Sequence, residues 1–244
     1  MKNKSFLSFF VFLVLWQVLT MVFDVNKTLF PSPIRVFLSL FESKQIFIDM
    51  SVSLARLIAG ALIGILAGIL FGLITGEFAF ANETFGQLAN FFRFIPPLAL
   101  VPLFIVWFGI GESPKVLLLA FTAFFPVWIS TFNGVQNIEE KYRLVAKSLN
   151  IRKLFLIKEI IMKGSLPYIL NGARLGISFA FSVLVAAEML GAYFGIGYRL
   201  SFLQSVYKID LMIGYIIILG IIGLVIDRFF LSISKKLTPW KNEN

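Results

Sequence analysis

Residues 91–133 read FFRFIPPLALVPLFIVWFGIGESPKVLLLAFTAFFPVWISTFN, and this stretch decides the fold. It is apolar enough for a membrane, yet five prolines interrupt it. Hydrocarbon offers no water to a free backbone N–H or C=O, so a proline-broken span persists only where neighbouring helices or a wet cavity compensate. The stretch therefore predicts a moving pathway rather than a simple anchor. The prolines are Pro96, Pro97, Pro102, Pro114 and Pro126.

The composition places the chain in a bilayer. Of its 244 residues, 59% are hydrophobic and 14% are charged, and the mean hydropathy is +0.90. Cysteine and histidine are both absent from the sequence, which removes thiol nucleophiles, disulfides and the commonest metal ligands, and we expect no cofactor. The sequence contains no Walker A motif, so any ATP that drives the chain must be held by another subunit.

Apolar runs predict an all-α integral membrane protein with six transmembrane helices, since a span needs about 20 apolar residues. The N-terminal run lacks a small-residue cleavage site, so we interpret it as a retained first span. The segment 34–48 is too short to cross and is expected to form an interfacial helix. The predicted spans are residues 6–23, 52–75, 86–108, 114–133, 167–190 and 210–231.

Basic residues predict the orientation of these spans. With the N-terminus inside, thirteen Lys and Arg residues lie on the cytoplasmic side and six lie outside. Seven of the thirteen fall in the loop 134–166. Because cytoplasmic loops carry the excess of basic residues, both termini are predicted to be cytoplasmic.

Glycine recurs at every fourth position of the second span, which lays a groove along one helix face. Another helix can approach closely along such a groove. Packing within one subunit is the favoured interpretation, ahead of an interface between subunits. The predicted packing positions are Gly60, Gly64, Gly68 and Gly72, with Gly76 following.

The loop 134–166 is far longer than a simple connection requires. Its apolar and small residues at 144, 148, 151 and 155 recur at helical spacing, with basic residues elsewhere on the surface. The pattern predicts a short helix with a partly apolar face. The residues alone leave two interpretations open, docking into a groove on a cytoplasmic partner or lying on anionic lipid.

A few charged residues lie within or beside the apolar spans, where an unpaired charge is costly. Glu188 is either a pathway or gate residue, or an interfacial carboxylate that caps a bend or meets Arg199. Arg174 is expected to snorkel or to bind a carbonyl near the long loop. Arg93 and Asp227 are expected to act as anchors at span edges.

Six blocks occur in a characteristic order along the chain. They are LFPSP (29–33), SVSLARLIAG (51–60), RFIPPLALVPLFIVWFGIGESPK (93–115), FFPVWISTFNGV (124–135), LNGARLGISFAFSVLVAAEMLGAYFGIGY (170–198) and GLVID (223–227). Together they resemble the permease subunits of bacterial ABC importers, in the branch that includes nitrate, sulfonate, taurine and pyrimidine-precursor systems. The resemblance implies a type I importer permease fold with a cytoplasmic coupling helix. It also implies a second permease subunit, identical or related, two cytoplasmic ATPase subunits and an external solute-binding protein.

The family's coupling segment falls on LVAKSLN, where Leu144 replaces the usual glutamate and Asn150 the usual glycine. Asparagine tolerates the left-handed backbone conformation better than most residues. A proline common in the family corresponds to Lys163 here. The coupling residues implied by the resemblance are Leu144, Val145, Ala146, Leu149, Asn150, Ile151, Phe155, Pro167 and Gly172.

These observations predict a non-catalytic permease of the bacterial inner membrane that imports a small polar or anionic solute. The alternative is a secondary transporter that is driven by an ion gradient and uses Glu188 and Asp227 as proton or ion sites. A membrane enzyme is disfavoured because the sequence contains no catalytic constellation. We divide the chain into an N-terminal and interfacial helix region (1–46), a permease core (47–232) and a cytoplasmic tail (233–244). The pathway or gate candidates are Pro96, Pro97, Pro102, Trp107, Phe125, Pro126 and Glu188.

Overall fold

A computed structural model of the chain describes residues 2–22 and 28–239, and every regular element in these ranges is helical. Lys27, Lys241 and the last residues of the predicted tail lie outside them. The α-helices are α1 (Lys2–Val22), α2 (Pro33–Glu42), α3 (Ile46–Glu77), α4 (Ala79–Phe92), α5 (Val101–Phe108), α6 (Glu112–Gln136), α7 (Glu140–Ser148), α8 (Lys153–Phe155), α9 (Met162–Gly191), α10 (Ile196–Ser205) and α11 (Ile209–Leu237).

Among the described residues, four helices are long and apolar enough to cross a membrane. They are α3, α6, the continuous helix Lys153–Gly191 that contains α8 and α9, and α11. The predicted third span, 86–108, is not one helix, because the chain breaks between α4 and α5. Helix α1 contains residues 6–22 of the predicted first span, and Val11–Val22 is a shorter apolar segment within it. The count of six spans therefore stays a prediction.

The glycines of α3 lie against α6. A Cβ added to Gly64 would sit 2.3 Å from the carbonyl oxygen of Ala120, and one added to Gly72 would sit 2.4 Å from the Cβ of Thr131. Only hydrogen fits at these positions, so the two backbones come into direct contact within one subunit. The groove is thus filled by a helix of the same chain.

Helix α9 packs on the other side of α6 by the same device. A Cβ on Gly172 would lie 2.6 Å from the Cβ of Ser130, and one on Gly176 would lie 2.8 Å from the carbonyl oxygen of Ala123. Helices α3, α6 and α9 therefore form one close-packed block with α6 in the middle. Its core contains Leu57, Leu118, Leu119, Ala123, Ala180, Val183 and Leu184.

The N-terminal part of the long helix is irregular. Residues Leu156–Ile161 form a π-helical segment between α8 and α9, and Pro167 lies inside α9 one turn later. A π segment and an interior proline both interrupt the usual hydrogen-bond ladder, and both are common sites of bending. The helix is thus weakened where it leaves the loop.

The predicted interfacial helix ends earlier than expected. Helix α2 stops at Glu42, and α3 begins at Ile46, six residues before the predicted second span. Ser32 caps α2 by accepting a hydrogen bond from the backbone N–H of Arg35. Leu40 packs against Gly214 of α11, which fixes α2 beside that helix.

Candidate functional site

The proline-rich stretch forms a chain of short pieces. Helix α4 ends at Phe92, residues 93–96 turn, and Pro97–Leu100 form a 3-10 helix before α5. Pro97 and Pro102 lie in first turns, where the missing N–H removes no helical hydrogen bond. Gly109, with φ of +78°, then separates α5 from α6. Prolines and glycine therefore divide this span at both ends of α5.

A cavity of about 560 Å³ lies between this broken segment and helices α6 and α9. Three of the predicted gate residues, Pro97, Phe125 and Pro126, line it. Trp107 lies outside this lining with 64% of its surface exposed. Glu188 also lies outside the cavity, while Pro96 and Pro102 form chain breaks beside it. The candidates thus divide between one cavity, its flanks and a separate cluster.

That separate cluster, which we call the Arg56 network, consists of Ser53, Arg56, Glu112, Lys115 and Glu188. Glu188 is fully buried and accepts hydrogen bonds from Arg56 Nη1 at 2.6 Å, Ser53 Oγ at 2.8 Å and the backbone N–H of Gly197 at 2.8 Å. Arg56 also donates from Nε and Nη2 to Glu112, at 2.5 and 2.7 Å. A buried charge is tolerated when it is paired and hydrogen-bonded, and both conditions hold here.

A second buried acid lies one helical turn from this network. Asp49, also fully buried, accepts hydrogen bonds from Arg199 Nε at 2.8 Å and from the Tyr215 hydroxyl at 2.9 Å. Arg199 therefore pairs with Asp49 and not with Glu188, which corrects the expected partner. Together the two acids join the ends of α3, α9, α10 and α11, and we call this the α10 end of the bundle.

Sequence reasoning missed Asp49, Ser53 and Arg56, although a signal existed. The three residues recur at intervals of four and three in an apolar helix, which places them on one face. Polar residues on one face of a membrane helix indicate buried partners. Glu112 lies 56 residues from Arg56, whereas Glu188 and Arg199 lie more than 130 residues from their partners in α3.

At the other end of α3, helix α7 presents apolar side chains to the outside. Leu144, Val145 and Leu149 are more than half exposed, whereas Ala146 is buried. Asn150 adopts φ of +53°. The N–H groups of Asn150 and Ile151 donate to the carbonyl oxygens of Lys147 and Ala146. This is a Schellman motif, in which asparagine takes the usual glycine position.

The predicted single helix through Phe155 does not form. Helix α7 stops at Ser148, and Phe155 belongs to α8 beyond the turn, so the helical spacing crosses a break. Pro167 and Gly172 lie in α9, and Gly172 packs against α6. The structure thus brings the implied coupling residues up to Phe155 onto one loop and places the last two in the helix that follows it.

The loop is fixed to the end of α3, and we call this region the α7 end. Arg143 forms an ion pair with Glu77, and Lys153 Nζ lies 4.1 Å from the centre of the Phe78 ring. At the start of α7, the hydrogen bond from Lys141 to the Glu139 carboxylate raises the pKa of Lys141 above its usual value. The Arg143–Glu77 pair thus fixes α7, and the Lys153–Phe78 contact fixes α8, to the end of α3.

Arg174, expected to snorkel or to bind a carbonyl, forms an ion pair with Asp227, which was predicted as an anchor. Arg174 Nε lies 2.6 Å from Asp227 Oδ1. The pair joins α9 to α11 and takes the place of the carbonyl partner expected for Arg174.

The chain was compared with known proteins. Over residues 60–239 it matches the family described as binding-protein-dependent transport system inner membrane component. It is 34% identical to the aliphatic sulfonates transport permease protein SsuC of Bacillus subtilis (strain 168), with 95% of this chain and 85% of that protein aligned. It is 28% identical to the nitrate import permease protein NrtB of Synechococcus elongatus, with 98% and 92% aligned.

The fold is also that of a solved transporter. A chain of the MetNI methionine ABC transporter in an inward-facing conformation superposes with a TM-score of 0.68 at 16% identity, covering 80% of this chain and 97% of that one. At this identity the likeness shows the fold, which is that of a type I importer permease. The helical bundle, its apolar spans and these matches together show that the chain belongs to the binding-protein-dependent transport system inner membrane components, as a multi-pass permease subunit.

Proposed function

We propose that this permease serves an ATP-driven importer and moves a small polar or anionic solute delivered by an external binding protein. The solute classes are nitrate, sulfonates including taurine, bicarbonate and pyrimidine precursors. The relatives named for aliphatic sulfonates and nitrate support this range. The observation that carries the proposal is the α7 end, where apolar side chains are exposed on a loop fixed to α3.

The α7 end suits a protein partner better than lipid. Leu144, Leu149 and Leu154 are 57%, 68% and 80% exposed on an otherwise basic loop. An exposed apolar patch with a polar rim is typical of an interaction site. The Schellman turn and the Arg143–Glu77 pair hold the patch in a fixed orientation, which a helix lying on lipid does not need. We assign this surface to ATPase subunits, two per transporter, which hydrolyse ATP in place of this chain.

The remaining assignments follow from this one. A surface for cytoplasmic ATPases at the α7 end places both termini in the cytoplasm, which agrees with the excess of basic residues on that side. A second permease, identical or related, completes the pathway in the bacterial inner membrane. We retain the division into residues 1–46, 47–232 and 233–244.

Motion of the ATPase subunits then reaches the pathway through packed helices. Helix α7 is tied to α3, and the π segment joins the loop to α9. Both α3 and α9 pack closely on α6, whose middle lines the 560 Å³ cavity. A shift at the α7 end is therefore transmitted to the proline-broken segment as a movement of packed helices.

The structure disfavours a secondary transporter. The two acids proposed as ion sites are both engaged, Glu188 with Arg56 and Asp227 with Arg174. Neither acid can take up a proton or an ion without first losing this ion pair.

The test is uptake by proteoliposomes that contain the permease, its ATPase and its binding protein. We expect uptake that requires ATP, and we expect Leu149→Asp to reduce it at least ten-fold because a carboxylate is placed in an apolar contact. Leu149→Met keeps the apolar surface and is expected to keep uptake. Ser205→Asp adds the same charge at the α10 end and is expected to have no effect. Uptake by the permease alone that collapses with an ionophore would contradict the proposal.

A further inference from the structure

Arg93 occupies an unusual place in the fold. It lies in the turn between α4 and the 3-10 helix, where it lines the 560 Å³ cavity. It also lines a second cavity of about 310 Å³, whose walls include Thr75, Trp128 and Asn133. One guanidinium therefore adjoins both cavities beside α6.

Arg93 lies beside the second half of α6, where it shares both cavities with Ile129. The α6 residues that line the larger cavity run from Phe121 to Ser130, and the helix itself runs from Glu112 to Gln136. Ile129, which lines both cavities, is seven residues from the helix end, a rise of about 10 Å. A cation at this depth is costly unless a partner or water meets it.

Among the described side chains, Arg93 forms no ion pair, and its one described contact is with the Phe94 ring, 4.8 Å from the guanidinium carbon. Arg228 of α11 likewise forms no ion pair with a described residue, but it lines neither cavity. Arg56, Arg174 and Arg199 each meet a carboxylate of another helix. Arg93 is exposed and meets no described carboxylate, so its N–H donors are available to a ligand or to water.

The walls of the larger cavity are mostly apolar, apart from this cation and the hydroxyls of Thr122, Ser130 and Ser182. Its aromatic lining is Phe92, Phe94, Phe121, Phe125 and Phe179. The hydroxyls of Thr122 and Ser182 donate to helix carbonyl oxygens, so neither supplies a donor to an anion. The lining thus combines one guanidinium with a broad apolar surface.

This inference rests on the proposed import function and narrows its substrate. We propose that Arg93 binds the anionic group of the solute in the pathway, and that the aromatic cavity beside it favours an organic anion with an apolar group over a bare inorganic anion. A guanidinium binds sulfonate or carboxylate oxygens through charge-assisted hydrogen bonds. Burial of an alkyl or aryl group against the phenylalanine walls contributes favourable binding free energy, which nitrate cannot gain because it has no apolar group.

The test is equilibrium dialysis of the complete permease–ATPase complex without nucleotide, in nanodiscs of neutral lipid. The probes are pentanesulfonate, methanesulfonate and nitrate. We expect pentanesulfonate to bind at least ten-fold more tightly than methanesulfonate, since burial of only two of its four additional carbons would give that ratio. Arg93→Gln is expected to weaken pentanesulfonate binding about ten-fold or more, and Arg93→Lys less, because the ammonium keeps the charge but loses the planar fork.

Two further variants distinguish the contribution of the Arg93 charge to binding from that of the apolar cavity walls. Phe179→Ser is expected to weaken pentanesulfonate binding and leave methanesulfonate binding unchanged, because it alters only the apolar wall. Lys208→Gln removes an exposed cation at the α10 end and is expected to change neither.

The proposal is overturned if Arg93→Gln binds pentanesulfonate as the wild type does, or if nitrate binds as tightly as pentanesulfonate. It is also overturned if anionic lipid in the nanodisc abolishes probe binding, which would make Arg93 a lipid headgroup site. Because dialysis uses no ATP, its outcome is separate from the uptake experiment. Normal ATP-dependent uptake with no Arg93 effect on binding contradicts this inference alone, whereas an Arg93-dependent site without ATP-driven uptake contradicts the proposed function alone.

Discussion

The two ends of the bundle differ in which side chains they bury and which they expose. They are separated by the length of α3, 32 residues or about 48 Å. At the α10 end, charged side chains are buried and paired across four helices. At the α7 end, apolar side chains are exposed on a rigid loop. The first end is complete within one chain, whereas the second presents a surface suited to another protein.

The largest expected effect on stability comes from disrupting the ion pairs at the α10 end. Glu188→Ala leaves Arg56 and Ser53 without their buried acceptor, and loss of one partner of a buried pair costs about 3–5 kcal/mol. The free energy of unfolding, measured by SDS titration in mixed micelles, should fall by that amount. Glu139→Gln is the matched control, because Glu139 and its partner Lys141 are 62% and 61% exposed and the loss of such a surface pair should change the free energy of unfolding far less. Equal losses in both variants would show that burial does not set the cost.

A smaller effect is expected between the two ends, in the glycine groove. Gly64→Ala places a Cβ 2.3 Å from the carbonyl oxygen of Ala120, so α3 and α6 must separate at a cost of about 1–3 kcal/mol. The same titration checks it. Gly220→Ala has no atom within 4 Å of the new Cβ and is expected to be neutral or stabilising by up to about 1 kcal/mol. Unchanged stability in Gly64→Ala would contradict direct backbone contact.

The turn that ends α7 should respond more weakly still. Asn150→Ala puts an alanine at φ of +53°, which costs roughly 1 kcal/mol, whereas Asn150→Gly should be neutral or better. ATP-dependent uptake measured in parallel should fall in the alanine variant and persist in the glycine variant. The opposite order would mean that the asparagine side chain, not the backbone conformation, is required.

The smallest change in stability is expected at the α7 end. Leu154 is 80% exposed, so Leu154→Asp should alter the free energy of unfolding by no more than about 0.5 kcal/mol. Copurification of the ATPase partner should nevertheless decrease, because the substitution charges the surface assigned to it. A large loss of stability would show that Leu154 is part of the core of the permease itself.

Much of the fold was accessible from residue patterns, because those patterns are local. Glycine at every fourth position predicted a close helix approach, and α6 occupies that groove. Proline spacing predicted a broken span, and the chain does break between α4 and α5. The bounds of the predicted third span, 86–108, nevertheless ignored that break. Helical spacing in the long loop failed at Asn150, since a pattern of apolar positions does not register a left-handed turn.

The sequence by itself determined that the chain is helical, that it belongs in a membrane and where its helices must break, since hydropathy, glycine and proline act on the nearest turns. Only the tertiary structure decided which charges meet. Arg56 and Glu188 are 132 residues apart and come within 2.6 Å because α3 and α9 pack on the same central helix in one register. Arg93 is the same residue type as Arg56, but packing brings no described carboxylate to it. The physical reason is that a charge in a membrane takes its role from the groups that packing brings to it.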